Sequence, residues 1–170
     1  MQKKLFEDVE VQRKTHPNNV LNDLTGKEWI QETVSVWFQK GLGRDHPHTY
    51  YERQHPAPFP YKMVERLLKF FTKSGDVVLD PFSGIGSTIK ACGITKRKCI
   101  GIELSEKWAN LSKQRLEKEI PNFENFDLII GDSRKILTNF YDNYFDFIVT
   151  SPPYWQILNK PPDRGHNTLL

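Results

Sequence analysis

At 170 residues, with 38% hydrophobic content, the chain is sized for one globular domain, and no run of about 18 apolar residues offers a membrane span. The N-terminus carries no apolar signal region, which with the two lone cysteines points to a cytoplasmic protein. The net charge of +3 is modest: residues 1–60 hold eight basic and eight acidic side chains, so the excess lies in 61–170, a balance compatible with nucleic acid.

Residues 1–23 are polar and are expected to be loosely ordered. Thr25 or Asp23 is placed to cap a helix over 27–39, with Trp29, Ile30, Val34, Trp37 and Phe38 on one apolar face. Residues 41–60 read as a loop rich in Pro, His and Gly, of the kind that is often functional or mobile. Its His46-Pro47-His48 lacks Cys or acid ligands at a metal-binding spacing, and no metal is expected. A second amphipathic helix is predicted over 61–72, with Met63, Val64, Leu67, Leu68 and Phe71 inward.

Residues 76–80 read as a short buried strand. Pro81-Phe82-Ser83-Gly84-Ile85-Gly86-Ser87-Thr88 follows, and then a helix. Strand, glycine loop, helix is the layout of a nucleotide-type site. Gly84 and Gly86 let backbone approach a ligand, and Ser87 or Thr88 is placed to cap the helix. Ile89 stands where the dinucleotide fingerprint has its third glycine, which argues against a pyrophosphate ligand. Cys92 and Cys99 read as reduced core thiols. Lys96-Arg97-Lys98 reads as a solvated turn at the end of the sheet opposite the crevice.

The second strand, 98–103, ends in Glu103. That residue lies 23 positions after Asp80, near the spacing expected of an acid that holds ribose hydroxyls. A third helix is predicted over 105–118, capped by Ser105, with Trp108, Leu111 and Leu116 facing the sheet. The third strand, 126–132, ends in Asp132, and a short helix follows over 133–140. The fourth strand, 145–150, runs into Ser151-Pro152-Pro153-Tyr154. Two prolines donate no backbone hydrogen bond and fix φ near −65°. They stop the strand and hold Ser151 and the proline carbonyls in one rigid edge. That edge can accept hydrogen bonds from a planar amino group while Tyr154 stacks on the ring that bears it. In an open α/β sheet the carboxyl ends of the strands face one crevice, so the three acids and the Ser-Pro-Pro-Tyr turn are expected together.

These segments resemble, in order, those of the amino-group DNA methyltransferases that use S-adenosylmethionine. Residues 80–87 resemble the cofactor loop, Gly101-Ile102-Glu103-Leu104 the ribose-binding strand, and Gly131-Asp132-Ser133 the segment at the cofactor adenine. Ser151-Pro152-Pro153-Tyr154 resembles the catalytic motif. His55-Pro56-Ala57-Pro58-Phe59-Pro60 resembles the segment that closes over the methionine end, and Gly26-Lys27-Glu28-Trp29 the N-terminal region of one subgroup. The resemblance runs over roughly residues 24–160.

It implies a Rossmann-like class I methyltransferase sheet, incomplete here at about four parallel strands with flanking helices. It implies residues 61–155 as the cofactor-binding and catalytic core; by composition, residues 1–60 are expected as an N-terminal helix and mobile loop, and the polar residues 156–170, with Pro161-Pro162 and Gly165, as a flexible tail. Cofactor-binding residues carried over are Phe59, Pro60, Asp80, Pro81, Phe82, Ser83, Gly84, Gly86, Ser87, Thr88, Glu103, Leu104, Asp132 and Ser133. Catalytic residues are Ser151, Pro152, Pro153 and Tyr154. The implied activity is methylation of an exocyclic amino group in duplex DNA within a restriction-modification setting. Serine at the first motif position usually goes with cytosine N4 in this family and aspartate with adenine N6, so cytosine N4 is the implied acceptor; the alternatives are an adenine-N6 methyltransferase or a split cofactor-binding subunit inactive without a second polypeptide. The strand–helix units between Thr88 and Thr150 leave no room for a target-recognition region. The fourth strand would keep an unpaired edge, so a second polypeptide, or a second copy, is expected to pair there and supply recognition.

Overall fold

The computed structural model describes residues 15–38, 43, 46–47 and 49–153. Four parallel strands form one sheet: β1 (Val77–Asp80), β2 (Lys98–Glu103), β3 (Phe126–Ile130) and β4 (Phe147–Ile148), in the order β3-β2-β1-β4. The chain steps outward from β1 through β2 to β3, then returns to the far side of β1. The direction of winding therefore reverses between β1 and β4, and crevices open at such points beyond the carboxyl ends of the strands.

The helices are α1 (Gly26–Glu32), α2 (Thr49–Glu52), α3 (Tyr61–Phe71), α4 (Ser87–Thr95), α5 (Glu106–Glu119) and α6 (Ser133–Ile136), the last continued by a 3-10 turn, Leu137–Asn139. Buried parallel strands need cover on both faces. On one face Val64 and Leu68 of α3, Ile89 and Cys92 of α4, and Leu116 of α5 pack on Val78 and Cys99. On the other, Leu79, Ile100 and Ile102 meet Ile136, Leu137, Phe140, Tyr144 and Phe145. Both cysteines are free and buried, and burial pushes the Cys99 thiol well above its ordinary value, as core thiols require.

Several expectations need correction. α1 stops at Glu32 rather than near residue 39, and Ile30, Val34 and Phe38 are exposed rather than on an inward face. Its start is as expected: Thr25 Oγ1 accepts from Glu28 N–H, and Glu28 answers at Thr25 N–H (2.9 Å), a capping box. The β-branched Thr33, Val34 and Val36 disfavour continuing the helix. Trp29 and Trp37 instead cover Phe70, one stacked and one edge-on.

On α3 the inward side is Tyr61, Val64, Glu65 and Leu68, while Met63 and Phe71 lie toward the surface. The expected loose segment before residue 24 contains Asn22, which is buried and donates to the Phe70 carbonyl (2.6 Å). Arg97, expected in a solvated turn, is buried. Its guanidinium donates to Thr72 Oγ1 (3.0 Å), the Thr72 carbonyl (2.6 Å) and the Thr95 carbonyl, closing the turn before β2. β4 is two residues long, not six; its Phe147 stacks on Phe71 at 5.7 Å. Among the described residues no helix is long and apolar enough to cross a membrane.

Candidate active site

A cavity of about 630 Å³ opens beyond the carboxyl ends of the strands, in the range of small-molecule sites. Every strand contributes to it. Pro81, Phe82 and Gly84 come from the loop after β1, and Glu103 and Leu104 from the end of β2. Gly131, Asp132 and Ser133 follow β3, and Ser151, Pro152 and Pro153 follow β4.

The glycine loop owes its shape to left-handed backbone: Gly84 has φ 53° and Gly86 φ 74°. A β-carbon on Gly86 would sit 2.2 Å from Ser112 Oγ, so the loop lies against α5 with no room for a side chain. Gly86 itself is the N-cap of α4. Ser87 and Thr88, expected as capping side chains, stand within the first turn and make other bonds. Ile89, at the third-glycine position, is core.

Glu103 pins the loop to the sheet. Gly84 N–H donates to its Oε2 (2.7 Å) and Ser105 N–H to its Oε1 (2.9 Å). Each carboxylate oxygen keeps a second lone pair, so a diol can still be bound from the cavity side. Ser105 occupies the N-cap of α5, but its side chain makes no capping bond. Asp132 caps α6, accepting from Arg134 N–H (3.0 Å) and pairing with the Arg134 guanidinium (2.7 Å). That hydrogen-bonded pairing lowers its carboxyl to about 2, so it is an anion at any physiological pH.

Asp80 does not line the cavity. It is buried at the end of β1, where Thr88 Oγ1 donates to one oxygen (2.5 Å) and Thr150 Oγ1 and Phe82 N–H to the other (2.8 and 3.1 Å). Burial raises its carboxyl above the usual range, although these bonds oppose the shift. Asp80 thus ties the glycine loop, through Thr88, to the residue immediately before Ser151. It acts as a joint between the two walls.

The remaining assigned residues fall into three groups. Ser83, Ser87 and Thr88 are buried beneath the loop, and Ser83 Oγ lies against Gly101 with no hydrogen-bond partner among the described residues. Phe59 packs on the core and Pro60 begins α3, so neither reaches the cavity. Tyr154 lies outside the described residues.

Seven lining residues were not among the assigned set: His55, Ala57, Ser105, Lys107, Trp108, Gly131 and Arg134. Trp108, expected to face the sheet, instead meets His55 edge-on with centroids 4.6 Å apart, and Lys107 Nζ lies 4.3 Å from its ring. His55 Nδ1 accepts from Ala57 N–H (3.2 Å), which leaves the proton on Nε2, facing Gly84. Burial holds the imidazole below its ordinary range and so neutral. The sequence signal for this wall was the His-Pro-x-Pro segment itself, read at its far end rather than at His55.

A family model for N6- and N4-type DNA methylases matches residues 2–114. That span holds the glycine loop and Glu103; Asp132 and the Ser-Pro-Pro turn lie beyond it. The chain is 40% identical over 67 residues to the orphan methyltransferase M.BamHII of Bacillus amyloliquefaciens, covering 39% of this chain and 25% of that one. It is 35% identical over 97 residues to the type II methyltransferase M.BglI of Bacillus subtilis, covering 56% and 26%. Among solved structures, TTHA0409 from Thermus thermophilus superposes with a TM-score of 0.47 at 34% identity, over 61% of this chain and 39% of that one. The chain thus spans about a quarter of the length of the curated relatives it matches. With two thirds of its residues inside the family match, this chain belongs to the N6/N4 DNA methylase family.

Proposed function

We propose that the chain is the cofactor-binding and methyl-transfer part of an S-adenosylmethionine-dependent DNA methyltransferase whose acceptor is the exocyclic N4 of cytosine in duplex DNA. The observation that carries this reading is the meeting, in one cavity, of the glycine loop, Glu103, Asp132 and the Ser-Pro-Pro turn. M.BglI and five further matched relatives are named as type II methyltransferases, and TTHA0409 has also been solved as a complex with S-adenosyl-L-methionine.

The residues present fit that cofactor. Glu103 has lone pairs free for ribose hydroxyls, Asp132 and Ser133 offer acceptors at an adenine edge, and Pro81, Phe82 and Gly84 form a close backbone wall. His55 Nε2–H, neutral and aimed at this wall, can donate to an anionic group without adding charge. When bound, the cofactor supplies an electrophilic methyl group on a sulfonium.

The protein's own work is on the acceptor. An exocyclic amino nitrogen is a weak nucleophile because its lone pair is delocalised into the ring. Ser151 Oγ and the Pro152 carbonyl accept its two N–H groups and turn the lone pair toward the cofactor side of the cavity. Proline at 152 and 153 keeps that edge rigid, and orientation of this kind is a large part of the rate gain in a displacement. The base has to leave the duplex to reach the cavity, and we assign its stacking partner, from sequence alone, to Tyr154, the aromatic residue that follows Pro153. A neutral hydroxyl at 151, rather than a carboxylate, is what favours cytosine.

The outer edge of β4 has no partner strand among the described residues, and Ile148 is largely exposed. We take this edge as the place where a second polypeptide or a second copy pairs; sedimentation of a strictly monomeric, active chain would exclude it. The test of the site is Ser151→Ala. Transfer of labelled methyl to duplex DNA should fall by about 10²–10³-fold, as when one orienting hydrogen-bond partner is lost from an active site, with cofactor affinity unchanged. Full activity in this variant would remove the assignment.

A further inference from the structure

Outside the residues that line the cavity, four charged groups of the described residues cluster together. Arg115 on α5 and Lys90 on α4 are buried completely or nearly so, and Glu119 and Glu52 are largely buried. Glu119 Oε2 receives both Lys90 Nζ (2.7 Å) and Arg115 Nε (3.0 Å). Arg115 Nη2 donates to Glu52 Oε1 (3.0 Å). Its Nη1 turns the other way and donates to Ser87 Oγ (3.0 Å) and the Ile85 carbonyl (3.3 Å). Lys90 Nζ also lies 3.5 Å from the Tyr61 ring. Two cations and two anions balance.

A buried ion set of this kind is a poor device for stability alone, since apolar side chains of similar volume serve as well or better. It does fix geometry. A guanidinium is a planar fork that holds several acceptors at set angles, which lysine cannot do. The acceptors here belong to two walls of the cavity. Ile85 and Ser87 flank Gly86 in the glycine loop. Glu52 ends α2, three residues before His55. Tyr51 adds a second tie between α2 and α5 through its hydroxyl to the Gln114 carbonyl (3.3 Å). Gly84 and His55 then face each other, with the place of a Gly84 β-carbon 3.6 Å from His55 Nε2.

We infer that Arg115 is a positioning residue for the cofactor cavity: by binding Ile85, Ser87 and Glu52 at once it sets the gap between the glycine loop and the His55 wall. The affinity part of this inference rests on the S-adenosylmethionine reading above; the geometric part does not.

The test uses the whole chain and two substitutions, Arg115→Lys and Ser87→Ala, with two readouts taken well below the unfolding temperature. The first is amide hydrogen exchange, which reports local opening. Arg115→Lys should speed exchange at residues 84–88 while β2 stays as protected as in the parent. The second is calorimetric titration with S-adenosylmethionine. Losing hydrogen bonds from a charged donor should weaken binding about tenfold in Arg115→Lys and about threefold in Ser87→Ala, with the double variant no weaker than Arg115→Lys alone. Unchanged loop exchange in Arg115→Lys overturns the inference, as does an equal loss of protection across loop and sheet. Should Arg115→Lys fail to fold, Ser87→Ala decides on the same two readouts. A parent chain that does not bind S-adenosylmethionine defeats the cofactor reading, and the loop-exchange result then still decides the positioning role.

Discussion

β2 is buried at four of its six positions, whereas the strand that leads into Ser151 is two residues long and Ile148 in it is 58% exposed. The wall carrying the glycine loop and Glu103 is backed by α3, α4 and α5 and by the buried charges around Arg115. The wall carrying Ser151 hangs from β1 by few bonds. Val149 N–H reaches the Leu79 carbonyl (3.1 Å), Asp146 accepts from Val77 N–H (2.8 Å), and Thr150 reaches Asp80 (2.8 Å). One wall is stiff, and the other is light and jointed to it at Asp80. A cofactor site gains from pre-set shape, while a site that must receive a flipped base gains from a lightly tethered edge.

Substitutions should therefore sort by wall, and the largest effect is expected on the stiff side. Glu119→Ala leaves Lys90 and Arg115 as buried cations without their shared acid, and should cost about 3–5 kcal/mol of stability by urea unfolding, as when one member of a buried pair is removed. A cost near zero would mean that Glu119 is not what balances the two buried cations.

Gly101→Ala should come next. Its β-carbon would lie 2.6 Å from Ser83 Oγ and 2.8 Å from Ile89 Cδ1, and overpacking of that kind costs about 1–3 kcal/mol. On the light wall, Thr150→Val should cost stability by only about 1–2 kcal/mol, through one lost hydrogen bond to Asp80. Its larger effect should be on methyl transfer, with cofactor affinity kept and Thr150→Ser restoring the rate. Equal losses of affinity and rate would erase the distinction between the walls.

The smallest effect is a pH dependence. Because burial lowers the His55 value in the folded state, the unfolded chain takes up this proton first as pH falls. Stability from this group is complete above the free-imidazole value of about 6.5 and is lost as pH drops through the lower folded value. Thermal unfolding followed across that window should show a shallow decline that His55→Gln flattens.

The stiff wall is the more legible one in sequence. β2 can be read residue for residue, because a buried strand between two helices is an uninterrupted apolar run with a polar residue at each end. β4 is shorter than its apolar run suggests, since such a run does not reveal how many neighbours will pair with it. The N-terminal helix is likewise shorter than its aromatic spacing suggests, because a β-branched run outweighs that spacing. Glu103 and Asp132 line the crevice as the sequence suggests, but Asp80 does not, and its role is not visible there: Thr150 is 70 positions away, and only the reversal of strand order brings the two together. Arg115 escapes sequence reading for a similar reason. With Glu119 four residues on, it reads as a solvated helix pair, and only the docking of α2 and the glycine loop buries it.

The measurement that bears most directly on the two-walled site is transfer of labelled methyl from S-adenosylmethionine to mixed duplex DNA, followed by digestion to nucleosides and mass analysis, run on the parent chain with and without the rest of a matched methyltransferase supplied as a second polypeptide. The expected result is N4-methylcytosine that disappears in Ser151→Ala while cofactor binding persists. Methyl transfer that survives Ser151→Ala, or a product methylated at a ring carbon rather than at an amino group, would contradict it.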